Sequence, residues 1–68
     1  MNKKNIEIML TGLRRRLNNE PISLVELFYK GAKDEQKEAM KTYSKTRIDA
    51  AKERTEAYKI YLKERKNK

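Results

Sequence analysis

Cysteine, histidine and tryptophan are absent from the chain, proline occurs once and glycine twice. Without cysteine no disulfide can brace the fold. Without cysteine or histidine the usual structural zinc ligands are missing as well. The same gaps remove the commonest nucleophile and general base. Gly12 and Gly31 stand far apart, so no glycine-rich loop cradles a phosphate. The expectation is a protein that is not an enzyme and has no cofactor, metal or small-molecule substrate. A reducing, cytoplasmic setting suits a cysteine-free chain.

Long apolar runs are missing too. Ile6 to Leu13 is interrupted by Glu7, Thr11 and Gly12, so neither a signal peptide nor a membrane-spanning helix is expected. A membrane-surface helix would need a broad apolar face opposite its lysines. Alanines and arginines occupy that position here, which disfavours a membrane partner.

What remains is short and heavily charged. Sixty-eight residues allow one domain at most, read as a single basic helical domain over 1–68. A chain of this size buries only ~60% of its unfolded surface. Lacking the usual staples, it is expected to rely on good helix packing, a partner or self-association. Lysine and arginine total 18 against 10 acidic residues, a net charge of +8. Such an excess selects nucleic acid, an anionic surface or an acidic protein as partner.

The helical pattern is clear at the start. Ile6, Met9, Leu10, Leu13 and Leu17 recur at spacings of three and four, which predicts a helix over about 4–18. Gly12 costs about 1 kcal/mol relative to alanine there, and a close helix neighbour would rationalise it. Arg14, Arg15 and Arg16 fall in the last turns, where they complement the helix dipole. Pro21 then breaks the chain. Ser23 with Glu26 reads as a capping box, and Ile22 with Leu27 as a hydrophobic staple. They introduce a short apolar helix over about 23–30. Gly31 reads as its terminator, although a helix could also run through it. From Asp34 onward there is no proline or glycine, which predicts one long helix over about 34–65 and a frayed tail at 66–68.

On that long helix the charges segregate. At 100° per residue, Lys37, Lys41, Lys45, Lys52, Lys59, Lys63 and Lys66 fall within an arc of roughly 80°. One reading is a solvated face supported by pairs three apart: Asp34–Lys37, Glu38–Lys41, Asp49–Lys52 and Glu56–Lys59. The other is a row that tracks phosphates. Another sector interleaves Arg47 and Arg54 with Tyr43, Tyr58 and Tyr61. Arginine and tyrosine dominate interface hot spots, so Tyr58 and Tyr61 are candidate docking aromatics beside the two arginines. As a coiled-coil seam this sector is poor, because the arginines occupy central positions.

A helix-turn-helix reading fails. With Gly31 as the turn glycine, Glu26, Lys30 and Leu27 are the wrong types at the buried, preceding and small-residue slots. The fold expected is all-α, a helical hairpin or three-helix arrangement with one long C-terminal helix, dimeric where apolar surface needs cover. Leu10, Leu13, Leu17, Leu24, Leu27, Phe28 and Met40 are its expected core, with the remainder of the long helix projecting as a presentation surface. The function expected is a small basic binding or regulatory protein. It would contact nucleic acid through Lys37, Lys41, Lys45, Lys52, Lys59 and Lys63 with Arg47 and Arg54. The alternative is a regulator, of the accessory kind carried by phages or plasmids, that docks the same residues on an acidic protein surface.

Overall fold

The computed structural model describes residues 2–42 and 44–67. They form three α-helices: α1 (Lys3–Arg16), α2 (Ile22–Lys41) and α3 (Lys45–Lys66). The fold is all-α, with a long C-terminal helix.

The Asn2 side chain starts α1 by accepting the amide of Lys4 at 2.9 Å. The three arginines close it. The intervening turn ends at Pro21, whose fixed φ of −66° precedes α2. The Pro21 carbonyl accepts from Leu24 and Val25, so α2 begins at Ile22 and Ser23 lies inside its first turn. The expected Ser23 cap is therefore not made, and Leu27 faces solvent rather than stapling Ile22.

Gly31 does not end α2. The helix crosses it because Val25 and Ala32 on either side are buried, and that packing outweighs the ~1 kcal/mol glycine penalty. The break falls at 42–44 instead. The Thr42 hydroxyl donates to the Ala39 carbonyl at 2.7 Å, and the Thr42 amide closes on the same oxygen. These hydroxyl residues offer the backbone an alternative to the helix. Ser44 is extended, and its carbonyl receives the first bond of α3 from Ile48. Tyr43 lies outside the described residues, and so do the expectations attached to it.

The reversal at 42–44 returns α3 along α2. Thr55 meets Ala32, Arg54 meets Glu35 and Lys66 meets Glu26, so these two helices are antiparallel. Asn5 meets Glu53, Arg14 meets Glu64 and Leu17 meets Arg65, so α1 runs parallel to α3. Both outer helices pack on α3. Among the described residues no Cα of α1 comes within 8 Å of one in α2.

The core joins Leu10, Leu17, Val25, Tyr61 and Leu62, with Leu13, Ile22, Tyr29, Tyr58 and Ile60 against it. Val25 and Ala57 are fully enclosed. The far half of the last helix is thus the centre of the molecule, not a projection. Leu27, Phe28 and Met40 of the expected core are exposed instead. Helical phase turns Leu27 outward, since it stands two positions after Val25 and five before Ala32, whereas Phe28, three after Val25 and four before Ala32, sits at the edge of their face against Tyr58.

Candidate nucleic-acid interface

The structure splits the lysine row. Lys37 and Lys41 belong to α2, and Lys45, Lys52, Lys59, Lys63 and Lys66 to α3. The α3 lysines span an arc of roughly 60° by helical phase. It is the arc left free by Glu53, Ala57, Tyr61 and Leu62, which turn inward. On α2 the lysines are Lys30, Lys33, Lys37 and Lys41, along one flank of the line through Val25 and Ala32.

The two sets share one side of the molecule. Tyr29 of α2 lines a depression with Lys59, Lys63 and Lys66 of α3. Lys33 stands 4.7 Å over the Tyr29 ring, and Lys66 reaches Glu26 at 3.7 Å. Folding the row back on itself therefore sets two lysine-bearing helices side by side. Sequence reasoning missed Lys30 and Lys33, because both lie before the expected start of the long helix.

Few of these ammonium groups are neutralised. Of the four expected three-apart pairs, one forms, Lys41 with Glu38 at 3.5 Å. Among the described residues, no carboxylate lies within 4.0 Å of Lys30, Lys37, Lys45, Lys52, Lys59 or Lys63. All six are exposed except Lys52, which is half-buried.

The arginines are placed differently. Arg54 donates to Glu35 at 2.9 Å on the other side of α3. Arg47 lines a surface depression with Asp34, Glu35 and Glu38, and with Lys37 and Lys41. Arg14 is held bidentate by Glu64, and hydrogen bonding to that carboxylate raises the guanidinium above its ordinary pKa. Arg16 faces Ile8 and Tyr58 rather than the lysines. Arg14 and Arg54 are thus held by carboxylates and Arg16 lies away from the lysine face, whereas Arg47 stands beside Lys37 and Lys41.

The docking aromatics are also withdrawn. Tyr61 is 3% exposed, so its ring belongs to the core and cannot present a hot spot. Tyr58 is half-buried, with its ring centroid 6.5 Å from that of Phe28. Arg65 was not singled out by its sequence position, yet its guanidinium makes three hydrogen bonds. It donates to the carbonyls of Leu17 and Glu20 and to the Tyr61 hydroxyl. Glu53, buried on the opposite side, accepts from the Asn2 amide and the Asn5 side chain. Both residues are fold clasps.

Among the described residues no acidic cluster could hold a metal ion, and every buried side-chain nitrogen or oxygen has a partner. No described helix is long and apolar enough to cross a membrane. No family model, curated protein or solved structure matches the chain.

Proposed function

We propose that this chain is a small nucleic-acid-binding accessory protein that contacts the phosphate backbone through the lysine face of α2 and α3. The observation that carries the reading is the set of six lysines on that face with no carboxylate within 4.0 Å among the described residues. Point charges in a row, without a bidentate fork, suit phosphates read as charge rather than bases read as sequence. From Lys45 to Lys66 the row is about 32 Å long at 1.5 Å per residue.

The same arrangement weakens the acidic-protein alternative. A protein interface draws most of its energy from buried aromatic and arginine anchors. Here Tyr61 is core and Arg54 is paired with Glu35. The lysine face is left with charge but no anchor.

Fluorescence anisotropy with mixed-sequence duplex DNA and with single-stranded RNA tests the reading. Five phosphate contacts give a slope of log K against log salt near −4.5, hence roughly a 500-fold loss of affinity on duplex between about 50 and 200 mM salt. Binding at the lower salt on the order of micromolar is expected. A chain that binds neither polymer there, or binds with no salt dependence, refutes the proposal.

A further inference from the structure

The reversal at 42–44 sets lysines of α2 and α3 at matched levels. Glu35 meets Arg54, Ala32 meets Thr55 and Glu26 meets Lys66, which fixes the register of the two antiparallel helices. In that register Lys30 stands level with Lys59, and Lys37 with Lys52, to within about two residues. The depression that Tyr29 shares with Lys59 and Lys63 agrees with it. On each helix the two lysines are seven positions apart, about 10.5 Å along the axis. Helices in contact lie about 8–10 Å apart. The four side chains therefore rise from the corners of a rough rectangle. Among the described residues none of the four has a carboxylate within 4.0 Å.

Carboxylates stand at the margins of this rectangle. On the α1 side of α3, Asp49 lines a depression with Asn5, and Glu56 lines one with Ile6. On the outer side of α2, Asp34 and Glu38 line a depression with Lys37. A polyanion is steered onto the two rows and away from either flank.

We infer, on the footing of the nucleic-acid function proposed above, that the polymer is a DNA double helix whose minor groove lies over the line between α2 and α3, so that each lysine row holds one backbone. A single strand is one line of phosphates and engages one row. Two rows at matched levels call for two lines side by side. The minor groove of B-form DNA, about 6 Å wide, brings its backbones as close as two packed helices bring their lysines. The matched levels span about three base pairs at 3.4 Å each, so both backbones stay on the face before the duplex turns them away. The minor groove of an RNA duplex is wide and shallow, which sets its strands too far apart for these rows.

The placement of the described rings agrees. Single strands are held largely by bases that stack on open aromatic side chains. Tyr61 is core, and Tyr58 meets Phe28 and lines a depression with Ile8 and Met9 of α1. Tyr29, beside the rows, packs against the core and carries the Lys33 ammonium 4.7 Å over its ring.

Fluorescence anisotropy at about 50 mM salt compares a DNA duplex of about 20 base pairs, each of its separated strands and an RNA duplex of the same sequence. The DNA duplex should bind about tenfold or more tightly than any of the others. Lys30→Ala with Lys37→Ala, both at exposed helix positions, should lower the salt slope on the DNA duplex by about 1.8 and leave single-strand affinity within about twofold. Phosphate-ethylation interference should mark both strands across one minor groove. A strand or RNA duplex bound as tightly as the DNA duplex overturns the inference and leaves the nucleic-acid function standing. So does a double variant that weakens strand and duplex alike, or interference confined to one strand. A chain that binds none of these polymers refutes the function itself, and the inference with it.

Discussion

Arg65 is the residue whose loss should cost the fold most for its size. Its guanidinium donates to the Leu17 carbonyl at 3.0 Å and to the Glu20 carbonyl at 2.7 Å. It also reaches the Tyr61 hydroxyl at 3.1 Å and stands 5.7 Å over that ring. Leu17 and Glu20 lie in the turn that joins α1 to α2. Since no described Cα of α1 comes within 8 Å of one in α2, Arg65 ties their junction to α3. Hydrogen bonds to a charged donor contribute about 1.5–3 kcal/mol each. The site is only part-buried, so water would recover some of that for the orphaned carbonyls. Arg65→Met, which keeps the apolar stem, should therefore cost about 2–3 kcal/mol. Against a total stability of roughly 3–10 kcal/mol for a chain of this length, that is a large fraction. Thermal unfolding followed by circular dichroism, at one fixed protein concentration, should show Tm falling by about 10–20 °C. Arg65→Lys should fall between, since an ammonium cannot span both carbonyls as the fork does. Tyr61→Phe, which loses one bond and keeps the ring, should cost about 0.5–1 kcal/mol. A drop below about 3 °C for Arg65→Met would mean that the guanidinium merely lies on the surface, and the clasp would have to be abandoned.

Three further expectations concern the core, α2 and the lysine face. Val25→Ala removes two methyl groups from a fully enclosed site and should cost about 2 kcal/mol, read as a lower urea midpoint at unchanged slope. Gly31→Ala should raise stability by about 0.5–1 kcal/mol, because the Cβ meets open space inside a continuous helix. Lys52→Ala should lower the salt slope of nucleic-acid binding by about 0.9, whereas Arg54→Ala, on the other side of α3, should leave it unchanged.

The sequence disclosed some of this fold more readily than the rest. The spacing of Ile6, Leu10 and Leu17 places α1 to within two residues at either end, because one apolar stripe decides it. Pro21 marks its break for the same direct reason. Gly31 misleads, because a glycine cost of about 1 kcal/mol is small beside the burial that holds α2 on α3. The true reversal has only Thr42 and Ser44 to announce it, and their side-chain and backbone bonds compete weakly with a helix until the chain has somewhere to return. Ser44 also has no acidic partner three residues on, since that position is Arg47. Missing this reversal displaces the core. Tyr61 and Leu62 read as a projecting end, and Leu27 and Phe28 as a centre. Arg65 and Glu53 carry little local signal, because apart from Tyr61, four residues before Arg65, their partners lie 45 to 51 residues away.

The misplaced break also bears on how the charge can work. On one continuous helix the lysines would make a single thin row with carboxylates alongside. The reversal lays Lys30, Lys33 and Lys37 of α2 beside the lysines of α3, turning a row into a surface. Packing that many like charges on one side of a small chain is unfavourable by itself. Among the described residues the fold offsets it with two ion pairs there, Lys66 with Glu26 and Lys41 with Glu38. Its better ion pairs, Arg14–Glu64 and Arg54–Glu35, lie elsewhere. A polyanion would relieve this self-repulsion, so binding should raise stability. The rise in Tm should be largest at low salt and should fade as salt screens the face itself. A nucleic-acid complex whose Tm equals that of the free chain at low salt would show that the polymer is not held by these lysines.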